Sequence, residues 1–108
     1  MRAPLRIFAA VAIVAGFAAP LARAGAQSGS DVKVVDFDYS PVSQTVDVNT
    51  KVTWTNTGAR PHTVTEKGGT IDSGLLNPGK SFRLVVDRSF EYVCTLHSNM
   101  KGQISLSG

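Results

Sequence analysis

One cysteine, two histidines and two methionines are all the thiol, imidazole and thioether groups that the 108 residues carry. A single cysteine excludes an internal disulfide, so in an oxidising compartment its thiol is buried, paired between chains or bound to something. Long apolar runs are missing too. The longest, from Ile7 to Ala19, would extend about 20 Å as a helix, against the roughly 30 Å of a bilayer core, which makes a membrane anchor the weaker reading and export the preferred one. There is no helical stripe, internal repeat or low-complexity tract. Only 18% of the residues are charged.

The first 26 residues read as a signal peptide. Arg2 and Arg6 precede the apolar run, and the small-residue patterns Ala22-Arg23-Ala24 and Ala24-Gly25-Ala26 follow it, placing cleavage near residues 24–26. The formal net charge of +3 belongs to this segment. Arg2, Arg6 and Arg23 are three of the eleven basic residues, and their loss leaves eight against eight acidic ones. No basic patch remains to bind nucleic acid or an acidic membrane. The expected product is one exported, soluble, monomeric domain over residues 27–108, opened by the flexible lead-in Gly25 to Ser30.

From Asp31 onward the chain alternates apolar and polar residues over short runs rich in β-branched and aromatic side chains, the period of half-buried strands. Val32 and Val34 alternate in one phase and Val35, Phe37 and Tyr39 in the other, which predicts a bulge or bend near Val34. Further runs contain Val46 and Val48; Val52 and Trp54; Phe82, Leu84 and Val86; Phe90, Tyr92 and Cys94; Ile104 and Leu106. Turn residues punctuate them at Asn56 to Pro61, Lys67 to Gly69, Asn77 to Gly79 and Asp87 to Ser89. Seven to eight short strands in so small a domain predict an all-β Greek-key sandwich.

The run Phe90-Glu91-Tyr92-Val93-Cys94 puts the thiol on the inward face. Alternation is then lost through Thr95 to Gly102, so Cys94, His97 and Met100 follow at three-residue steps on one loop. His62, after Pro61, is the remaining imidazole. One thiolate and two imidazoles with a thioether as a weak fourth donor suit copper in electron transfer, because soft sulfur stabilises Cu(I) and imidazole serves both oxidation states. Zinc sites are richer in cysteine or retain a water. Singly each residue has a plain explanation: core filling for Cys94, a surface turn for His62, packing for Met100. Jointly they use every such side chain left after the signal segment, and the metal reading is preferred. Trp54 is assigned to the core.

These residues resemble the cupredoxins, and within them the amicyanin subgroup, whose short ligand loop has the spacing Cys-x2-His-x2-Met. Val52-Thr53-Trp54-Thr55-Asn56, then five residues, then His62 preceded by Pro61, is similar as well. Leu96, Ser98 and Asn99 stand where that subgroup carries prolines between its ligands. The resemblance implies one type 1 copper ion on His62, Cys94, His97 and Met100. It also implies that Asn56 hydrogen-bonds across to the cysteine loop, with Thr95 as its neighbour. It further implies a bacterial periplasmic protein that exchanges single electrons with donor and acceptor proteins docking near His97; Leu96, Pro61, Leu75, Leu76 and Pro78 are read either as the apolar surface for that docking or, equally, as ordinary loop packing. An alternative with the same site is a periplasmic copper carrier or delivery protein. A cysteine–histidine nucleophile is disfavoured, since no third orienting residue or oxyanion-hole motif accompanies Cys94, and the chain is read as no enzyme. A metal-free protein-binding sandwich leaves the ligand spacing unexplained.

Overall fold

The computed structural model describes residues 29–107; the proposed signal segment lies outside them. Eight strands run in the order β1 (Gly29–Val35), β2 (Asp38–Ser40), β3 (Ser43–Val46), β4 (Thr50–Asn56), β5 (Thr65–Glu66), β6 (Ser81–Val86), β7 (Phe90–Val93) and β8 (Lys101–Leu106). They form two four-stranded sheets, β2-β1-β4-β6 and β3-β8-β7-β5. The pairs β1/β4 and β3/β8 are parallel and the others antiparallel. The expected all-β sandwich is the observed fold.

Period-two alternation decides which side chains meet between the sheets. On β4, Thr50, Val52, Trp54 and Asn56 are buried while Lys51, between the first two, is exposed. Val32 and Val34 of β1, Phe90 and Tyr92 of β7 and Ile104 of β8 fill the same interior. Aromatic rings set its centre: Trp54 and Tyr92 meet edge to face with centroids 5.6 Å apart, and Tyr39 and Tyr92 at 4.7 Å. Gly102, paired with Tyr92 across β7 and β8, is required here, because a Cβ would sit 2.4 Å from the tyrosine ring.

The phase change in the first strand region has a different cause from the bulge or bend expected near Val34. Val34 lies in regular pairing with Tyr39 and Asn56, and the reversal is a tight turn at Asp36-Phe37 that joins β1 to β2. Two turn residues outside the ladder reset the alternation, so Tyr39 points into the core while Phe37 is 53% exposed. That turn lies at the end of the sandwich to which β7 delivers Cys94.

Candidate metal centre

Two segments converge at this end. Cys94 follows the last residue of β7 and continues its buried face, leaving the thiol 3% exposed. The chain then closes on itself: the amide of Met100 donates to the carbonyl of His97 (3.1 Å) and the amide of Cys94 to the carbonyl of Met100 (3.2 Å). These two bonds bring the three-residue steps onto one side of the loop. His62 is held by a two-way backbone bridge with Leu76, its amide donating at 3.0 Å and its carbonyl accepting at 2.8 Å.

Cys94 Sγ lies 3.9 Å from His62 Nδ1 and 3.5 Å from His97 Nδ1. All three donor atoms fall within 4.8 Å of one another. An ion about 2.0 to 2.1 Å from nitrogen and about 2.3 Å from sulfur, with bond angles between tetrahedral and trigonal, separates its N and S donors by about 3.5 to 3.8 Å. The donor atoms are therefore already spaced for one ion. Met100, whose amide closes the loop onto His97, is fully buried, and His97 is partly exposed. His62, Cys94, His97 and Met100 thus have the arrangement of a type 1 copper site, with a thiolate, two imidazoles and a thioether, a mixed set that suits copper better than zinc.

The environment of His62 includes a residue that the sequence did not single out. Its Nε2 is 2.7 Å from Asp36 Oδ1, with His62 fully buried and the Asp36 side chain 25% exposed. An ionised carboxylate only accepts, so Nε2 carries the proton and Nδ1 presents its lone pair toward Cys94. The backbone amides of Ala59 (2.9 Å, to Oδ2) and Arg60 (3.3 Å, to Oδ1) donate to the same carboxylate. The Ala59 amide, then His62, holds Asp36 below the usual carboxylate range. In the sequence Asp36 read only as the polar member of an alternating pair.

Asn56 and Thr95 occupy different roles from the ones expected. Asn56 Nδ2 donates to the carbonyls of Arg60 and Leu76, both at 2.8 Å, and Oδ1 accepts from the Gly58 amide at 2.8 Å. With both amide hydrogens and the carbonyl satisfied on the His62 side, Asn56 shapes the loop that precedes the ligand. The bond across to the cysteine loop comes from Thr63: the Thr95 amide donates to Thr63 Oγ1 at 2.9 Å, and the two hydroxyls lie 3.3 Å apart. Tyr39 strengthens this link, its hydroxyl donating to the Thr63 carbonyl at 2.6 Å. Burial pushes the Tyr39 phenol far up, keeping it a donor. Thr63 carries no motif, and only its position beside His62 hints at the role.

The apolar surface around His97 is also revised. Leu75 and Leu96 are 57% and 50% exposed, and Pro61 and Pro78 are exposed, but Leu76 is 4% exposed and faces inward because its backbone is engaged with His62. Phe37 joins the surface, its ring edge-on to His97 with centroids 5.0 Å apart. No helix among the described residues is long and apolar enough to cross a membrane.

No family model matches the chain. It is 27% identical to amicyanin-alpha of Methylorubrum extorquens over 94% of this chain and 92% of that protein. Among solved structures, it superposes on a purple cupredoxin from Nitrosopumilus maritimus with a TM-score of 0.67 and 26% identity, over 72% of this chain and 99% of the other. An oxidised proline-to-alanine variant of amicyanin gives a TM-score of 0.68 at 22% identity, over 78% and 88% of the two chains. With two such sheets, this donor arrangement and these relatives, the chain has the cupredoxin fold and is similar to amicyanin in sequence as well.

Proposed function

We propose that the protein is an exported electron carrier whose single copper is held by His62, Cys94, His97 and Met100. Copper bound there supplies a one-electron Cu(II)/Cu(I) couple. The observation that carries this reading is the convergence of Cys94 Sγ with His62 Nδ1 and His97 Nδ1 at 3.9 and 3.5 Å, on the loop that ends at buried Met100.

Each residue has a distinct task. Cys94 contributes the strong thiolate donor, and its burial keeps it from oxidation and exchange. His62, enclosed and bridged to Leu76, holds one side of the donor set rigid. Met100 closes the site from within and excludes water from a fourth position. His97 is the donor nearest solvent, Phe37 and Leu96 stand beside it, and these two together with the exposed Leu75, Pro61 and Pro78 are proposed as the apolar surface on which donor and acceptor proteins dock. Residues 1–26 are proposed to direct export, placing the carrier in the periplasm.

The deciding experiment takes residues 27–108, adds Cu(II), removes the excess and records visible and EPR spectra. An intense blue or purple band with narrow copper hyperfine splitting is expected. Only weak, ordinary copper bands would overturn the reading. Rapid loss of Cu(I) to a modest chelator, with sluggish electron exchange, would replace the carrier by a copper-delivery protein.

A further inference from the structure

Asp36 and Phe37, the two residues of the β1–β2 turn, lie against the two imidazoles of the centre, Asp36 on His62 at 2.7 Å and Phe37 on His97 with centroids 5.0 Å apart. The turn reaches them through sheet register. Parallel pairing of β1 with β4 sets Val34 opposite Asn56, and the Thr57 amide extends it by donating to the Val34 carbonyl at 2.9 Å. The two residues beyond Val34 therefore meet the loop of residues 57–61 that leads to His62.

A socket receives the Asp36 carboxylate. Ala59 and Arg60 amides bind its two oxygens, and Gly58 lies so close that a Cβ there would stand 2.4 Å from Oδ1 and 2.9 Å from Cγ. Only glycine at position 58 permits this approach. Three donors thus fix the carboxylate, and the third is the ring nitrogen of a fully buried histidine. Backbone carbonyls and carboxylates both serve as partners for ligating imidazoles, but the carboxylate adds a full negative charge and raises the basicity of the ring.

Building on the copper reading above, we propose that Asp36 is a positioning residue of the metal centre: it fixes His62 with Nδ1 turned to the metal, strengthens that nitrogen as a donor, and lowers the reduction potential. The electrostatic direction follows from charge. A fixed anion behind one ligand favours the more positive oxidation state, so removing it favours Cu(I). Asp36 also braces the loop through Ala59 and Arg60, and a purely structural role would loosen the site without a directed change in potential.

The test compares the copper-loaded wild-type domain with Asp36→Asn, Asp36→Ala and Gly58→Ala. Asp36→Asn keeps an acceptor oxygen and removes the charge. It is expected to stay coloured, with a more positive potential. Asp36→Ala is expected to bind Cu(II) 10- to 100-fold more weakly, the usual cost of losing such a partner. Gly58→Ala, which displaces the carboxylate without changing any charge, should shift affinity in the same direction. NMR of the diamagnetic Cu(I) protein supplies a reading that needs no variant to fold: His62 should show a slowly exchanging proton on Nε2, lost in Asp36→Ala. A wild-type His62 without that proton, or an Asp36→Asn protein with an unchanged or lower potential, overturns the proposal while leaving the blue site intact. A colourless wild type would overturn the copper reading itself.

Discussion

Two carboxylates in this molecule are held below their ordinary range, one against a buried metal-site histidine and one in a surface ion pair, and they do different work. Glu66, at the end of β5, is drawn down to about 2, chiefly by Arg88 and then by the Thr70 hydroxyl. Both Arg88 nitrogens engage it, but the arginine side chain is 45% exposed, so solvent and salt screen the pair. Asp36 sits against a histidine with no exposure at all. Its first partner is the Ala59 amide, so the backbone holds the carboxylate in place and the imidazole is oriented against it. A surface pair clips the β6–β7 loop to β5; a socketed carboxylate transmits its position to a metal ligand. Burial of the partner makes the difference.

The largest effect is expected where the metal end has no substitute. Cys94→Ala removes the thiolate and should abolish the intense visible band, and a retained band would reject the assignment of Cys94 as a ligand. Thr63→Val removes the hydroxyl that accepts from the Thr95 amide. It is expected to cost about 1 to 3 kcal/mol in chemical denaturation of the apoprotein and to speed copper loss. Unchanged denaturation midpoints would show that the two ligand segments are tied by packing alone. Met100→Gln should keep copper and lower the potential by replacing a thioether with a harder oxygen donor, as voltammetry would report; an unchanged or higher potential counts against Met100 as the axial donor.

The smallest effect belongs to the surface pair. Because folding lowers the pKa of Glu66 from 4.5 to about 2, its contribution is complete above the ordinary value and is lost as pH falls through that interval. Glu66→Gln should therefore be slightly less stable than wild type at neutral pH, with the difference vanishing near pH 2. Denaturation curves at pH 7, 4 and 2 check this. A difference that persists at the lowest pH would mean that packing around Thr70 and Ile71, and not charge, holds β5.

Several features of the centre were legible in advance for a local reason. Cys94, His97 and Met100 lie within seven residues on one loop, and the alternation of Phe90, Tyr92 and Cys94 states on which face the thiol emerges. The buried positions of Trp54, Val52 and Ile104 followed from the same period. Other features depended on neighbours far along the chain. Asn56 was expected to bridge to Thr95, yet a side chain at the end of β4 bonds to whatever the following loop brings near, here Arg60 and Leu76. For Leu76 the sequence left docking surface and loop packing equally open, and backbone pairing with His62 decided for packing.

By itself the sequence determined the strand count, the sandwich class and a sulfur–imidazole donor set gathered mainly on one loop, because hydrophobic period and ligand spacing act over a few residues. Tertiary structure decided that Thr63 joins the two ligand segments, that Phe37 stands outside the core against His97, and that Asp36 backs His62. Those contacts arise from the parallel register of β1 on β4 and from the absence of a side chain at Gly58. Register is a property of two strands brought together, and no local pattern in either strand encodes what the turn beyond it will touch.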